Sequence, residues 1–591
     1  MSVTGDKSFK RLIDIGIALS MERDHNRLME QILQQAKELC NADAGTLYLR
    51  GDDDSLRFEI MLNDSKPDLN AGGTSGNPVP AFPIRLYNPE TGDANHKNVA
   101  SHVALTGKTI NIPDAYEAED FDFSGTKGFD EKYSYRSTSF LTVPLKNHTG
   151  KVIGVLQLLN AKDLDTGQVV PFSEVNQPLI EAVTSQAAVA LDNQNLIQAQ
   201  KILLDSFISV LAGAIDAKSP YTGGHCQRVP ELAMMLADAA CKSTEGIFRD
   251  FDLDEDQHYE MNIAALLHDC GKVTTPEYVV DKATKLETIY DRIHEIRTRF
   301  EVLKRDAEID CLNAIIAGGE ETALRKELKK KQAQLDEDFA FIANANIGGE
   351  YMSDEDIDRI AQIAEIEWVR TIDNRIGVSH EELRRMETVD YQPVPVTEKL
   401  LVDRAEHIIE RDTANKIPEE NTLNFKMNEP KDMYNRGELY NLSVRRGTLT
   451  AEERYKINHH MVQTITMLDQ LPFPSDLMKV PEIAGGHHET MIGTGYPRGL
   501  KKEDMSIEAR IMAIADIFEA LTACDRPYKK AKTLSESVRI LSFMKLDKHI
   551  DPDLFDLFLK SGVYLEYAEK RLMPNQIDHV EISQYLDVGV D

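Results

Sequence analysis

The chain has few cysteines and a deficit of positive charge, and each shortage excludes a class of protein. The six cysteines are dispersed without paired spacing, which is typical of reduced thiols in the cytoplasm rather than of a disulfide framework. Lys and Arg number 67 against 99 Asp and Glu, so the formal net charge is -32. Such a chain is unsuited to long nucleic acids, whose phosphates are neutralised by many basic side chains. A small anionic ligand in a local basic pocket is compatible with this charge.

Long apolar runs are also missing. No run approaches the ~20 residues needed to span a bilayer, and the first residues, MSVTGDKSFKRL, lack the apolar core of a signal peptide. We therefore expect a soluble cytoplasmic protein with no membrane partner. The length of 591 residues predicts several domain-sized units.

Histidine and aspartate occur in five local contexts that are typical of metal ligands. These contexts contain His225, the pair His268-Asp269, His460, the pair His487-His488, and Asp516. The set offers five imidazoles and two carboxylates, which is enough for two adjacent divalent ions. Mixed nitrogen and oxygen ligands favour iron or manganese. The chain is therefore predicted first to be a metal-dependent hydrolase.

The pair His268-Asp269 ends an apolar helical stretch, MNIAALLHD, and so projects from a rigid element. A carboxylate has two oxygens, which makes Asp269 the best candidate to bridge two cations. Two metals that share a water can orient it towards a phosphodiester, so no nucleophilic side chain is needed. If the helix continues, Lys272 lies one turn after His268 and places an ammonium near the substrate phosphate. Gly271 would let backbone or substrate come close.

Several longer blocks resemble the HD-GYP family, a branch of the HD phosphohydrolase superfamily. They are GGHCQRV, LLHDCGK, GTLTAEERYKINHH, GGHHETMIGTGYPRGL and ARIMAIADIFEALTACDRPYKKA, in the family's order. The resemblance implies hydrolysis of the bacterial second messenger cyclic di-GMP to pGpG or GMP at a binuclear or trinuclear metal centre. Three-metal members carry a glutamate four residues before the first histidine, where this chain has Tyr221, so two metals are implied. The chain also departs from the family at Ile492, where an aspartate is common.

Two other histidines compete with His460 for the third position of the metal set. The resemblance places this ligand eleven residues after the leucine of an LTxEE element, which selects His460 over the adjacent His459. Thr450 and Glu453 form a capping box, so a helix is predicted to begin there and to carry His460 inward. His294 also follows the HD pair, but it lies on a long charged helix and is expected to be solvated.

The segment after His488 is predicted to form a turn that faces substrate or a partner. Glycines at its start permit conformations closed to other residues, and Pro497 fixes its exit. We assign substrate contacts to Gly495, Tyr496 and Pro497. Beyond Asp516, the basic residues Arg526, Lys529 and Lys530 could hold phosphate, and a solvated basic cluster is the alternative.

Residues 9–195 resemble a GAF domain. Strand-like segments GTLYLR, LRFEIML, KTINI, SFLTVPL and KVIGVLQLLN are flanked by helical stretches. The GAF subset that binds cyclic nucleotides carries an Asn-Lys, Phe, Asp-Glu signature, and this chain has only Asn160, Lys162 and Phe172, with Asn176-Gln177 in place of the acidic pair. Cyclic nucleotide binding is therefore not expected. An unidentified small ligand and a purely structural dimerisation role remain as alternatives.

Helical periodicity runs from Ser173, a suitable N-cap, to about Lys218 without an interrupting Pro or Gly between Leu179 and Leu211. This length predicts a connecting signalling helix shared between the protomers of a homodimer. Residues 205–591 would form the HD-GYP domain, with an insertion at about 290–445. Two amphipathic stretches within the insertion predict an antiparallel helical hairpin joined at residues 317–319. The insertion could be a dimer arm or an active-site cover.

These observations predict an α+β multidomain chain. It would have an N-terminal GAF α/β sensor domain, a long connecting helix, and a C-terminal all-α HD-GYP domain with a large, mostly helical insertion. The predicted function is a metal-dependent phosphodiesterase of cyclic di-GMP, regulated by the GAF domain. The alternatives are a non-enzymatic cyclic dinucleotide-binding or scaffold protein, and a phosphohydrolase that acts on another nucleotide.

Overall fold

The structure is a computed structural model that describes residues 3–22, 24–218, 224–349, 351–413, 416–417, 420–524 and 531–586. The chain divides into two compact units, Met1–Asp205 and Ser206–Asp591. The elements of the first unit are α1 Val3–Met21, α2 His25–Cys40, β1 Ala42–Arg50, β2 Ser55–Asn63, β3 Ala71–Gly72, β4 Ile84–Arg85, α3 Val99–Thr106, β5 Ile110–Ile112, α4 Ser124–Tyr133, β6 Phe140–Lys146, β7 Val152–Lys162, β8 Val169–Val170 and the start of α5 Gln177–Lys218.

The first unit is built on one antiparallel sheet with the strand order β3-β2-β1-β7-β6-β5. Short strands extend it, because β4 pairs with β2 and β8 pairs with β7. The five strand-like segments of the sequence correspond to β1, β2, β5, β6 and β7. The predicted GAF-type fold of this half is therefore confirmed.

Both faces of the sheet are covered. On one face, Ile32 of α2 and Val183 of α5 share a buried cluster with Leu156 of β7. On the other face, Val103 of α3 packs with Val155 of the same strand. Alternation of side chains along a strand sends neighbouring residues to opposite faces, which explains how one strand serves both clusters.

Helix α5 begins later than the sequence predicted. Ser173 closes a turn, in which its hydroxyl accepts the Val175 N–H and its carbonyl accepts the Asn176 N–H, and the helix starts at Gln177. Among the described residues, one helix is long and apolar enough to cross a membrane by length and composition, at Gln177–Ala217 within α5. Only 11% of its most apolar stretch is buried in the described structure. The expectation that the chain has no segment of this kind is therefore corrected.

The second unit is mostly helical, as predicted. Its elements after α5 are α6 His225–Lys242, α7 Glu255–Leu267, α8 Glu277–Val280, α9 Ile293–Ile316, α10 Glu321–Ile347, α11 Asp354–Ala364, β9 Glu367–Arg370, α12 His380–Met386, β10 Val396–Lys399, β11 Ile408–Glu410, β12 Asp432–Asn435, α13 Glu438–Leu442, α14 Ala451–Asn458, α15 His460–Asp469, α16 Val480–Gly485, α17 Ile507–Thr522, α18 Leu534–Leu546, α19 Pro552–Lys560 and α20 Val563–Arg571. Two short two-stranded sheets pair β9 with β10 and β11 with β12.

Helices α9 and α10 form the predicted hairpin. They are joined by residues 317–320, and Phe300 contacts Phe339 across the pair with ring centroids 5.4 Å apart. We call residues 281–449, which separate the HD pair from His460 in sequence, the intervening region. Its two ends are tied together, because Arg299 makes a two-pronged ion pair with Glu438 at 2.8–2.9 Å. Buried charge pairs of this kind fix one geometry, since breaking them leaves an unpaired charge.

Candidate metal centre

The ends of four helices and the middle of a fifth bring the predicted metal ligands together. His225 is the first residue of α6, and His460 is the first residue of α15. The remaining positions are His268-Asp269 directly after α7, His487-His488 just after α16, and Asp516 inside α17. Ligands at helix ends are held by rigid elements that approach one point from different directions.

The side chains form two adjacent groups that could each hold an ion. One group is His225, His268, Asp269 and Asp516, and the other is His460, His487 and His488. Within each group, the candidate ligand atoms all lie within 4.8 Å of one another. The grouping has the nitrogen and oxygen composition that divalent transition metals accept.

Asp269 lies between the two groups. Its Oδ2 is 3.4 Å from His225 Nε2 and 3.2 Å from His268 Nε2, while its Oδ1 is 3.3 Å from His460 Nε2. The carboxylate therefore presents one oxygen to each group. This is the geometry that a bridging ligand requires.

The imidazoles are oriented by their Nδ1 atoms. In His268, His460 and His487, Nδ1 donates to the carbonyl three residues earlier, at 2.7, 2.5 and 2.8 Å. This fixes the tautomer in which Nε2 carries a lone pair. Among the described residues, the buried Nε2 atoms of His225, His268, His460 and His487 and the Oδ1 of Asp269 have no hydrogen-bond partner. Buried polar atoms are almost always satisfied, so this converging set fits metal ions.

The electrostatics of the site also fit cations. Burial disfavours the charged form of Asp269, but Lys272 and His268 hold the pKa of this carboxyl well below its usual range. Burial lowers the pKa of His487 to about 4, so this imidazole is neutral at pH 7. Burial likewise depresses the pKa of His488. In the first group the shift is opposite: burial alone would lower the pKa of His268, but Asp269 raises it to about 9. Metal ions bind ionised carboxylates and neutral imidazoles, so metal binding would displace a proton from His268.

Glu519 contacts one of the candidate ligands, and the sequence analysis did not predict it. It is 1% exposed, and its Oε2 accepts the His225 Nδ1–H at 2.5 Å while its Oε1 accepts Arg228 Nε–H at 2.5 Å. The carboxylate therefore turns His225 Nε2 towards the metal group. A signal was present, because Glu519 lies three residues after Asp516 and thus on the same face of α17.

The HD segment leaves the α-helix earlier than expected. Helix α7 ends at Leu267, and residues Cys270–Thr274 form a 3₁₀ helix, so Lys272 does not continue the α-helical turn. Its ammonium donates instead to Asp269 Oδ2. Gly271 allows a close approach, because a Cβ there would collide with the carbonyl oxygen of His460. The predicted close contact is thus made by the backbone of α15.

The capping box predicted at Thr450 and Glu453 is present, and it starts α14. That helix ends at Asn458, however, and His460 opens a separate helix instead of continuing the first one. The reason is local, because the Ile457 carbonyl accepts the His460 ring N–H. The adjacent His459 points elsewhere, with its ring 5.7 Å from that of Tyr455.

The Gly-Tyr-Pro loop, residues 490–501, packs onto the second group of histidines. The Tyr496 ring stacks on His488 with centroids 4.8 Å apart and planes at 19°. Gly495 is needed for close packing, because a Cβ there would lie 2.5 Å from the Cα of Glu489. The buried Glu489 side chain accepts the backbone N–H groups of Arg498, Gly499 and Leu500 at 2.7–3.1 Å.

Other predicted residues lie away from the centre or outside the described chain. His294 is exposed on α9, where its Nδ1 accepts a hydrogen bond from Arg297 at 2.7 Å. Ile492 is 48% exposed in the Gly-Tyr-Pro loop. Tyr221, Arg526, Lys529 and Lys530 lie outside the described residues.

Comparison with known families agrees with the two units. Residues 24–191 match the family model of the GAF domain, and residues 395–554 match that of the HD domain. The chain combines a GAF domain with an HD domain. The HD match includes His460, His487-His488 and Asp516, while His225 and His268-Asp269 precede it. In the fold, the candidate ligands that precede this match lie beside those within it, since Asp269 is 3.3 Å from His460.

Curated relatives of the chain include proteins named as phosphodiesterases. The chain is 37% identical over 127 residues to a cyclic di-GMP phosphodiesterase of Pseudomonas aeruginosa, covering 21% of this chain and 30% of that protein. It is 35% identical over 132 residues to 3'3'-cGAMP-specific phosphodiesterase 3 of Vibrio cholerae, covering 22% and 27%. The match thus spans less than a third of these curated relatives. Among solved structures, the GAF domain of an Acinetobacter phosphoenolpyruvate-protein phosphotransferase matches 34% of this chain and 99% of that one, at 16% identity and a TM-score of 0.24.

The GAF domain has a partly open cavity of about 530 Å³, lined in part by strands of its sheet. Aromatic side chains such as Tyr48 and Phe140 line it together with polar groups such as Gln157. The three residues that match part of the cyclic nucleotide signature do not line this cavity and make other contacts in the domain. Asn160 accepts the Thr138 N–H at 2.7 Å, Lys162 pairs with Asp43, and Phe172 is buried in the core.

Proposed function

We propose that the chain is a metal-dependent phosphodiesterase that hydrolyses cyclic di-GMP to pGpG or GMP. The observation that carries this proposal is the pair of adjacent ligand groups, in which the buried Nε2 atoms of His225, His268 and His460 lie 3.2–3.4 Å from the carboxylate of Asp269. Relatives named as cyclic dinucleotide phosphodiesterases support the substrate class. The GAF domain is proposed as the sensor that regulates this activity, with an unidentified small ligand in its cavity.

We assign two divalent ions, iron or manganese, to the two groups of side chains, with Asp269 shared between them. Such ions, when bound, supply Lewis acidity for hydrolysis of a phosphodiester. Lys272 holds Asp269 by its ion pair, and its side chain remains 32% exposed. It can therefore attract a substrate phosphate while it keeps the carboxylate in place.

The substrate side of the centre is assigned to the Gly-Tyr-Pro loop. Tyr496 covers one face of His488, and Gly495 and Pro497 set the path of the backbone beside it. Arg526 and Lys529 are proposed as further phosphate contacts on their sequence pattern alone. A loop that touches a metal-group histidine is well placed to sense whether substrate is bound.

The test is metal analysis of the purified chain coupled to chromatographic measurement of cyclic di-GMP turnover. We expect two ions per chain and turnover, and Asp269→Asn should abolish turnover because no oxygen pair would remain ionised between the groups. Asp338→Asn is the matched control, since Asp338 is a buried carboxylate on α10. One ion or three ions in fully active protein would contradict the two-metal assignment.

A second candidate is hydrolysis of 3'3'-cGAMP, because relatives of similar identity carry that specificity in their names. Competition between the two dinucleotides at equal concentration decides between them. Metal-loaded protein that binds a cyclic dinucleotide without turnover would instead support the non-enzymatic alternative.

We further propose that two copies of the chain pair along α5 in the cytoplasm. Val189, Leu196, Leu203 and Val210 recur at seven-residue steps and are 42% to 70% exposed. Such a heptad stripe is buried when two helices coil around each other. The dispersed cysteines support a reducing compartment.

Insertions near Asn195 test this pairing. Two extra residues would rotate the downstream helix by about 200°, whereas seven would keep the heptad phase. Light scattering should show weaker dimers, with altered turnover, for the first insertion only. Unchanged dimers and turnover in both would contradict pairing through α5, and recovery of the protein with membranes would mean that this helix crosses a bilayer.

A further inference from the structure

A short segment of the intervening region is built as a rigid turn. We call residues 421–427 the strap. The Asn421 side chain bonds Phe425 twice, accepting its N–H at 2.9 Å and donating to its carbonyl at 2.7 Å. Asn424 adopts the left-handed conformation at φ 58°, which asparagine tolerates better than most residues. The strap thus has a conformation of its own, fixed by side-chain hydrogen bonds.

The strap is bonded to the Gly-Tyr-Pro loop at two points. The Lys426 N–H donates to the Pro497 carbonyl at 2.7 Å, and Arg498 Nε–H donates to the Leu423 carbonyl at 3.1 Å. The strap therefore donates one of these two hydrogen bonds and accepts the other. These bonds lie directly after Tyr496, the residue whose ring stacks on His488.

The strap is also anchored to the helix that begins at His460. Phe425 is 8% exposed and packs with Val462 and Ile465 on α15. Burial of a phenylalanine side chain is a strong and non-directional attachment. The strap therefore connects α15, which carries one histidine of the second metal group, to the loop that covers another.

The Gly-Tyr-Pro loop is held by two independent sets of hydrogen bonds. The Glu489 carboxylate binds three consecutive backbone N–H groups of the loop. The strap binds the same loop at Pro497 and Arg498. A loop held by two sets of bonds has few alternative conformations, so its stacked Tyr496 is fixed before substrate arrives.

We propose that the strap positions the Gly-Tyr-Pro loop for substrate, with Asn421 and Phe425 as positioning residues. The intervening region then acts through this contact as part of the active-site wall rather than as a remote arm. The inference rests on the proposed phosphodiesterase function for its effect on substrate, but the contact between strap and loop can be tested without turnover.

The experiment compares Asn421→Ala and Phe425→Ala with the matched control Thr422→Ala, whose side chain is exposed in the same segment. Hydrogen exchange is measured on the peptide that covers residues 490–501 in the full-length, metal-loaded protein. We expect exchange at least about tenfold faster in both test variants and unchanged in the control, since a lost hydrogen bond weakens protection. The KM for cyclic di-GMP should rise about fivefold to tenfold while kcat and metal content stay within about twofold.

If Phe425→Ala does not fold, Asn421→Ala alone tests the proposal. Asn421 is only half-buried, so its replacement should leave the fold intact. Unchanged loop exchange in Asn421→Ala, together with faster exchange of the strap itself, would overturn the proposal. Faster loop exchange with an unchanged KM would overturn the positioning role. If the parent turns over no cyclic dinucleotide while loop exchange responds as expected, the contact stands and the proposed function fails.

Discussion

Replacing Glu519 by Gln tests whether His225 is held ready for a metal ion. The carboxylate accepts from His225 Nδ1 on one oxygen and from Arg228 Nε on the other, each at 2.5 Å. In glutamine, one of these two oxygen positions becomes an NH₂ donor, so one of the two contacts loses its acceptor. If its NH₂ faces His225, the proton must move to Nε2 and block metal binding. If the NH₂ faces Arg228, two hydrogen-bond donors face each other and the Arg228 Nε–H loses its acceptor.

The size of the effect follows from the burial of the group. Glu519 is 1% exposed, so water cannot replace the lost acceptor. Loss of such an orienting partner typically lowers metal affinity about 10-fold to 100-fold. This range corresponds to about 1.4 to 2.8 kcal/mol. Glu and Gln have nearly the same shape, so no cavity confuses the comparison.

The assay is competition for metal between the protein and a chelator of known affinity. Glu508→Gln is the matched control, because Glu508 is a buried carboxylate near the start of the same helix α17 and, within the described part of the chain, forms an ion pair with Lys479 alone, at 3.9 Å. We expect the control to bind metal like the parent. Metal affinity of Glu519→Gln within about twofold of the parent would refute the orienting role.

Two further predictions concern other histidines. His460→Ala should lose one ion and nearly all turnover, whereas His294→Ala should change stability by less than about 0.5 kcal/mol; metal analysis and thermal melts check both, and the reverse pattern would move the ligand to α9. Burial and, after it, Arg292 lower the pKa of His407 from 6.5 to about 4, and its neutral Nδ1 accepts the Arg404 N–H at 3.3 Å. Because the folded pKa lies below the unfolded one, the stabilising contribution is present above pH 6.5 and is lost as the pH falls towards 4. In urea unfolding, His407→Asn, which keeps an acceptor, should therefore lose less stability than the parent across that range, and parallel curves would contradict this.

The sequence predicted what depends on local pattern. Apolar strand-like segments between turn-forming residues identified the strands of the GAF domain, and Thr450 with Glu453 identified the start of α14, because both signals act within a few residues. Local pattern also predicted the hairpin of α9 and α10.

Features that depend on distant partners were missed or misplaced. The bond from His225 to Glu519 joins residues 294 positions apart, which no periodicity reveals. Lys272 was expected on a continuing helix, but its ammonium is drawn to Asp269 and the backbone tightens into a 3₁₀ turn. The strap was invisible because its role lies in its contact with a loop about 70 residues later in the chain.

The close approach at Gly271 has a consequence for how the protein is made. The Gly271 N–H donates to the Thr464 hydroxyl across 193 positions of sequence, so this contact cannot form until the whole intervening region has been synthesised. The hydrogen bond between His225 and Glu519 forms later still, because Glu519 is 294 positions further along the chain. Long loops close slowly because the chain loses conformational entropy before any stabilising contact has formed. A growing chain therefore completes its GAF domain well before it can assemble a metal centre. The proposed hydrolytic activity would therefore arise only after the domain that is proposed to regulate it.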